Sequence, residues 1–183
     1  VSRAFLAQMT RHRIASFSVQ SQRYVRLEDF NFVTPPSIAA DEEALAEYNK
    51  MMQSSAESYA RLAAILQKNA AAKLVEQGKT PEEAEKLASK IANEDARFVL
   101  PNACETKMVV TMNVRSLHNF FRLRCCNRAQ WEIRAVADEM LRLCREAAPA
   151  LFANAGPACV TDGRCSEGKM TCGRPRTELI ANK

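Results

Sequence analysis

The sequence predicts an α+β fold, a mixed α/β architecture that is rich in helix and has a small sheet. Residues 41–77 of the 183-residue chain are rich in Ala, Glu, Lys and Leu, with apolar residues at intervals of three, four or seven. Residues 81–97 follow a helix-start signature. Residues 107–113 are β-branched and short enough for a strand. Helices therefore outnumber strands in the predicted fold.

The elements follow in chain order. Residues 1–10 are apolar and predict a short helix. The long helix over residues 41–77 has Gly78 placed to end it. Before the next helix, Thr80 is a capping residue, Pro81 takes the first helical position and Glu83 follows three residues after Thr80.

The second half of the chain predicts a strand and two helices. After the strand at residues 107–113, a helical pattern runs over residues 116–123, and a longer one runs over residues 129–148. Beyond these the composition turns to Gly, Ser, Lys and Arg. We therefore expect one domain over residues 1–156 and a loosely ordered, Cys-containing tail over residues 157–183.

Composition narrows the class of protein. A hydrophobic content of 47% excludes a disordered chain, and no run approaches the roughly 20 apolar residues of a membrane span. The seven Cys show no CxxC pairing and the first residues lack a signal peptide, which predicts a cytoplasmic protein with reduced thiols. The net charge is +5 and 17 of 26 basic residues are Arg, which favours anionic ligands, either nucleic acid or a small phosphorylated molecule.

Two Arg clusters are candidates for such ligands. Residues 11–24 hold three Arg, three Ser and two Gln, which suits a phosphate, although a basic surface turn fits the composition equally well. A second cluster contains seven Arg between residues 115 and 145. Its last three members fit a solvated helix face, whereas Arg115 and Arg124 flank an apolar stretch and are better placed to be held rigidly.

The sequence lacks the motifs of several other kinds of binding and catalytic site. Neither GxGxxG, a P-loop, HExxH nor a nucleophile elbow is present. Cys159, Cys165 and Cys172 could bind a metal, but their spacing is unlike common zinc sites and no fourth ligand is evident nearby. The sequence therefore predicts no metal site.

The string Arg11-His12-Arg13, seven residues and then Ser21 resembles the RHR-x7-S signature of flavin-dependent thymidylate synthases. A second set of blocks about a hundred residues on is similar to that family's C-terminal half in order and spacing, and the resemblance spans roughly residues 1–152. These blocks are residues 96–101, 113–117, 119–120, 123–124 and 129–133.

The resemblance implies a homotetramer with flavin and nucleotide pockets at subunit junctions, the two Arg clusters coming from different subunits. The implied enzyme is a methyltransferase that reductively methylates dUMP to dTMP with methylenetetrahydrofolate, NADPH and FAD. The family also has an N-terminal segment before this point, so we expect residues 1–156 to be a catalytic domain that is N-terminally incomplete.

The resemblance also implies site residues. Those expected to bind FAD are Arg11, His12, Arg13, Asn113, Arg115 and Asn119. Those expected to bind dUMP are Gln8, Arg11, Ser21, Gln22, Arg23, Arg97 and Arg124. Arg124 would stabilise charge on the pyrimidine as the catalytic residue. Ser21 is expected to donate to phosphate rather than act as a nucleophile, because no base is evident beside it. Ser18 and Val19 stand where many members have Asn and Glu.

Two alternatives stay open. An Arg-rich helical module could bind nucleic acid by stacking bases on aromatic side chains, although the spacing of these residues fits a core better. The candidates for stacking are Phe17, Tyr24, Phe120, Phe121 and Trp131. The second alternative is a non-catalytic fragment of the enzyme that folds and assembles without turnover.

Overall fold

A computed structural model describes residues 1–22 and 31–180. The predicted α+β class is confirmed, because helices dominate and two short strands pair in a small sheet. The strands are β1 (Ser16–Val19) and β2 (Met108–Thr111). The helices are α1 (Arg3–Met9), α2 (Pro36–Ala39), α3 (Glu42–Glu76), α4 (Pro81–Ala96), α5 (Val114–Arg124), α6 (Trp131–Ala147), α7 (Pro149–Phe152) and α8 (Ala158–Thr161).

The chain forms two compact units, and each is built from two chain segments. Residues 1–4 and 19–108 make the first unit, and residues 5–18 with those from 109 onward make the second. The predicted division at residue 156 into a catalytic domain and a tail stays a prediction. No helix within residues 1–22 and 31–180 is long and apolar enough to cross a membrane.

The long helices of the first unit begin and end where the sequence predicts. Asp41 caps α3 by accepting a hydrogen bond from the Ala44 amide at 2.9 Å. Gly78 follows the helix with a φ of 87°, a left-handed conformation that a side chain would disfavour. At the start of α4, Thr80 and Glu83 bond reciprocally to each other's backbone amides, which completes the predicted capping box.

The core of the first unit lies where α3 packs against α4. Four alanines spaced four residues apart form one face of α4, and each is at most 1% exposed: Ala84, Ala88, Ala92 and Ala96. Such small side chains on α4 let the two helices approach closely, since each alanine contributes only a methyl group to the contact. Tyr59 and Ala63 of α3 join Ala96 in this core, with Leu66 and Leu100 packed against them.

The second unit has an aromatic and aliphatic core between α5 and α6. Phe120 and Phe121 of α5 and Ile133 of α6 are fully buried, and Leu141 is 1% exposed. Phe152 of α7 meets the edge of Phe121, with ring centroids 6.1 Å apart. This core fixes the position of α5, the helix that carries Asn119 and Arg124.

The structure contains several short elements that the sequence did not predict. β2 lies inside the predicted strand at residues 107–113, whereas its partner β1 was not predicted. β1 has four residues with alternating exposure, too short for a periodic pattern to stand out. The four-residue helices α2, α7 and α8 escaped prediction for the same reason.

Side-chain hydrogen bonds fasten the segment after α6. Arg145 of α6 donates to three main-chain carbonyl oxygens: Phe152 at 3.4 Å, Ala155 at 2.8 Å and Leu179 at 2.8 Å. Arg176 donates to the Cys125 carbonyl at 3.0 Å and forms an ion pair with Asp138 of α6 at 3.0 Å. These contacts hold the segment from residue 149 to residue 180 on the second unit.

Candidate functional site

The second unit contains an open cleft of about 890 Å³, here called the arginine cleft. Both Arg clusters of the sequence contribute to its wall. The predicted site residues that line it are Arg11, His12, Arg13, Asn113, Arg115, Asn119 and Arg124. All six residues expected to bind FAD therefore meet at one cleft, together with the residue expected to be catalytic.

One wall of the cleft is a face of α5. Arg115, Asn119 and Leu123 follow each other at intervals of four, so they share a helix face directed away from buried Phe120 and Phe121. Asn113 caps this helix, because its Oδ1 accepts a hydrogen bond from the Ser116 amide at 2.9 Å. The helix start, with its positive partial charge, thus lies in the cleft wall and favours an anion there.

A second part of the cleft wall is the turn that comes directly after α1. The His12 amide donates to the Met9 carbonyl at 3.1 Å, so the chain turns immediately after the helix. Arg11 and Arg13 are exposed on either side of half-buried His12. The RHR sequence thereby presents two cations to solvent in the cleft and directs the ring between them toward the protein.

His12 and Arg124 form the best-defined contact in the cleft. Arg124 Nε donates to His12 Nε2 at 3.0 Å, and Arg124 Nη2 donates to the Gln8 carbonyl at 3.3 Å. The other side of the imidazole meets Phe120 edge-on, with ring centroids 5.0 Å apart. Arg124 is therefore held in one orientation by α1 and by a histidine that the core supports.

This contact requires a neutral His12, since arginine can only donate and Nε2 must accept. Burial, and then the charge of Arg124, lower the pKa of His12 below its ordinary value, which keeps the ring neutral near pH 7. Burial, and then the nearby charge of Arg11, also lower the pKa of Arg124. A guanidinium still carries its proton at neutral pH, so Arg124 remains a cation.

A pH dependence follows from neutral His12. Its pKa is lower in the folded chain than in the unfolded one, so below about pH 6.5 the unfolded chain binds more protons. The free energy of unfolding should therefore fall as the pH is lowered from 7.5 toward 5.5. Urea unfolding at several pH values measures this slope. His12→Gln keeps an acceptor but cannot titrate, and its slope over this window should be shallower; equal slopes would contradict the role of His12.

The cleft is strongly positive. Five arginines line it and Glu167 is its one acidic lining residue among those the structure describes. Arg128 and Glu167 were not assigned to the site from the sequence, and they form an ion pair at 3.7 Å. Nothing in the sequence pattern pairs two residues so far apart in the chain. Ile14, Leu123 and Ala129 add apolar surface to the cleft.

The residues expected to bind dUMP are divided between the units. Gln8, Arg11 and Arg124 belong to the second unit, where Gln8 takes part through its main-chain carbonyl. Ser21, Gln22 and Arg97 belong to the first unit. Gln22 Nε2 lies 3.6 Å from the Cys104 sulfur, and Arg97 Nε donates to the Glu94 carbonyl at 3.2 Å. Arg23 lies outside the described residues.

Arg11, Arg13, Arg115 and Arg124 all line the cleft within one chain. The expectation that the two Arg clusters meet at a junction between subunits stays a prediction. The turn after α1 brings the two clusters together, and the bond from Arg124 to His12 joins them. Ser18, exposed, and Val19, half-buried, lie in β1, and the effect of these departures stays a prediction.

Comparison with known proteins assigns the chain. The family model described as thymidylate synthase complementing protein matches residues 1–150. The chain belongs to this family. The resemblance inferred from the RHR string and from the blocks after residue 96 is therefore confirmed, and the arginine cleft is part of a thymidylate synthase complementing protein.

Curated relatives agree with this assignment. The chain is 49% identical over 174 residues to a flavin-dependent thymidylate synthase of Clostridium tetani, with 95% of this chain and 66% of the relative covered. It is 51% identical over 175 residues to one of Nitratidesulfovibrio vulgaris, covering 95% of this chain and 65% of the relative. The chain thus spans just under two thirds of the length of these relatives.

A solved structure shares the fold. The flavin-dependent thymidylate synthase ThyX of Helicobacter pylori, crystallised with FAD and dUMP, superposes with a TM-score of 0.53. The match covers 85% of this chain and 69% of that chain at 24% sequence identity. The predicted ThyX-like architecture of this family member is therefore confirmed at the level of the fold.

Proposed function

We propose that this chain carries the catalytic region of a flavin-dependent thymidylate synthase, which reductively methylates dUMP to dTMP. The observation that carries the proposal is the arginine cleft, because it gathers every residue that the family resemblance assigns to FAD. Relatives of the same name at about half identity support the activity. In this proposal the protein is a methyltransferase that uses FAD as its cofactor.

The cleft suits an anionic dinucleotide. The two phosphates of FAD need charge-assisted donors, and Arg11, Arg13 and Arg115 are exposed cations in the cleft. Asn119 adds an amide one turn along from Arg115, and Ile14 and Leu123 offer apolar surface for a flat ring. When bound, the flavin supplies the hydride that the methylation consumes.

Arg124 is the residue that we assign to the reacting pyrimidine. Its guanidinium is a cation whose direction is fixed by bonds to His12 and to the Gln8 carbonyl. A fixed cation costs little reorganisation when negative charge develops on a uracil carbonyl, which is the usual source of a large electrostatic contribution to catalysis. His12 positions this cation and keeps it from turning toward solvent.

Ser21 tests the nucleotide part of the proposal. If its hydroxyl donates to the dUMP phosphate, Ser21→Ala should weaken dUMP binding by about 0.5–3 kcal/mol and leave turnover at saturating dUMP. Steady-state kinetics at varied dUMP concentration separate the two effects. Ser54→Ala, on the exposed surface of α3, is the control. Loss of turnover with unchanged dUMP affinity would contradict the phosphate role and favour a nucleophile.

The nucleic-acid alternative loses support from burial. Phe120 and Phe121 are fully buried in the core of the second unit, so neither offers a face on which a base could stack. Tyr24 lies outside the described residues. The Arg surplus also has structural uses, since Arg145 and Arg176 donate to main-chain carbonyls.

The decisive experiment first measures whether the purified protein binds FAD, which its yellow colour would show. Protein purified with added FAD should be yellow and carry a bound-flavin absorption spectrum, and Arg13→Ala with Arg115→Ala should reduce its flavin content. Supplying dUMP, methylenetetrahydrofolate and NADPH should then yield dTMP. Flavin binding without dTMP would favour the non-catalytic fragment, whereas protein that stays colourless with added FAD would overturn the proposal.

Three further features belong to the proposal. NADPH is the proposed reductant and methylenetetrahydrofolate the proposed carbon donor, and the cytoplasm is the proposed location. We also propose a homotetramer, for which light scattering should give a mass four times the 20.4 kDa of one chain. A monomer at micromolar concentration would contradict the assembly.

A further inference from the structure

A second cavity, of about 270 Å³, lies beside the segment that follows α8. Four of the chain's seven cysteines line it: Cys126, Cys159, Cys165 and Cys172. The sequence had shown the last three without a fourth ligand. In the structure, the turn between α5 and α6 brings a fourth cysteine, Cys126, to the same cavity from more than thirty residues away.

We propose that Cys126, Cys159, Cys165 and Cys172 bind one Zn²⁺ ion as thiolates, a structural site that adjoins the arginine cleft, since Cys126 lines both cavities. Four cysteine sulfurs are a complete tetrahedral set for zinc, with Zn–S distances of about 2.3 Å. On binding, the four thiols release their protons to solvent and four Zn–S bonds form. This replaces the prediction of no metal site, which rested on the lack of a fourth ligand.

Main-chain amides already point at two of the sulfurs. The Arg174 amide donates to Cys172 Sγ at 3.4 Å, and the Arg176 amide donates to Cys159 Sγ at 3.5 Å. Hydrogen bonds of this kind stabilise a sulfur that carries negative charge and orient it toward a metal. Cys172 Sγ also donates its own hydrogen to the Arg174 carbonyl at 3.3 Å, and this is the proton that the thiol releases when it binds zinc.

Charge in the cavity wall also fits a thiolate site. One Zn²⁺ with four thiolates has a net charge of −2, which is costly to hold without nearby cations. Four arginines line this cavity: Arg122, Arg164, Arg174 and Arg176. Two of them already pair with carboxylates, Arg122 with Asp162 and Arg176 with Asp138. The remaining positive charge in the wall becomes favourable once the ligands are ionised.

The chain segments that carry the cysteines are tied together without the metal. Asn127, next to Cys126, donates through Nδ2 to the Arg174 carbonyl at 2.9 Å. Arg122 of α5 forms a two-pronged ion pair with Asp162, whose nearer contact is 2.7 Å. The turn after α5 is therefore fixed against both flanks of the cysteine segment, so a metal would not have to assemble distant parts of the chain.

To bind one zinc ion, the four sulfur atoms would have to come closer together than they lie in this structure. Within residues 1–22 and 31–180, no three His, Cys, Asp or Glu side chains are yet placed to hold a metal ion together. Cys165 is exposed and lies in an exposed segment between Gly163 and Gly168, so it is the ligand that must turn inward. Metal binding would thus be coupled to local ordering of this segment.

The test is metal analysis of the full chain, purified in reducing buffer with zinc and then dialysed. We expect about one zinc per chain, the stoichiometry of a four-cysteine site. Cys126→Ser and Cys165→Ser should each lower the retained zinc severalfold. Cys144→Ser is the matched control, because Cys144 is half-buried on α6 and does not line this cavity, and it should retain the wild-type content.

A readout that needs no variant uses Co²⁺ in place of zinc, for which we expect the intense visible bands of a tetrahedral thiolate complex. The proposal is overturned by wild-type protein that retains no metal, by iron in place of zinc, by disulfides among the four cysteines, or by equal zinc in Cys126→Ser and Cys144→Ser. None of these readouts depends on FAD or on dTMP formation, so they are independent of the proposed function.

Discussion

Arg124→Lys should lower dTMP formation at saturating dUMP by about 10²–10³-fold, the cost of removing one preorganised donor from a developing oxyanion. Bound flavin should change far less, because lysine keeps the positive charge in the arginine cleft. Turnover and the flavin spectrum of the same preparation measure the two effects side by side.

The reason lies in the geometry of the guanidinium. Arg124 uses Nε on His12 and Nη2 on the Gln8 carbonyl, which leaves the planar fork pointing in one direction. A lysine ammonium has no Nε and no fork, so it cannot hold the His12 contact and donate elsewhere at a fixed angle. The Arg124→Lys variant therefore keeps the positive charge but loses the fixed orientation of the donor groups.

Arg142→Lys is the matched control. Arg142 lies on the exposed face of α6, where it pairs with Glu139 and Glu146, and exposed pairs of this kind contribute little. We expect its turnover to stay within twofold of wild type, since it has no contact with the cleft. Wild-type dTMP formation by Arg124→Lys would remove Arg124 from the reaction.

Phe120→Ala should destabilise the second unit by about 3–5 kcal/mol, the range for truncating a buried phenylalanine. Phe120 is fully buried, contacting Phe121 at a centroid distance of 5.8 Å and His12 at 5.0 Å. Because a domain is stable by only about 5–15 kcal/mol, this loss is a large fraction of the total. Urea unfolding followed by tryptophan fluorescence reports it, since Trp131, the single tryptophan, begins α6.

Phe98→Ala removes the same side chain where it is 83% exposed, and it should change the unfolding free energy by less than about 0.5 kcal/mol. Comparing the two variants separates the effect of burial from the effect of merely replacing a phenylalanine with alanine. Phe120→Ala should also lower flavin content in the fraction that folds, because the His12 ring loses its edge contact. Equal stability of the two variants would contradict the assignment of Phe120 to the core.

Long elements were predictable because their signals are local. The α3 cap at Asp41, the capping box before α4 and Gly78 after α3 each depend on residues within four positions of one another. The RHR string was equally visible, and a family resemblance assigned it to flavin. Periodicity and capping therefore specify where the helices begin and end.

The missing parts depend on contacts between distant residues. No pattern in the sequence joins Arg124 to His12, which lie 112 residues apart, or Arg128 to Glu167. β1 is too short to be recognised without its partner β2. Cys126 could not be grouped with the later cysteines until the chain was folded, since only the tertiary structure brings it to their cavity.

Arg145 donates hydrogen bonds to three main-chain carbonyl oxygens, and in this way one side chain holds the C-terminal part of the second unit in place. Ala155 lies before the exposed stretch that follows α8, and Leu179 lies after it, yet both oxygens are bound by the same Nη2 atom. A protease that cuts between residues 156 and 178 would leave one residue on each side of the cut, Ala155 and Leu179, bound to the same guanidinium. A nicked chain would therefore migrate as two pieces under denaturing conditions and as one molecule under native conditions.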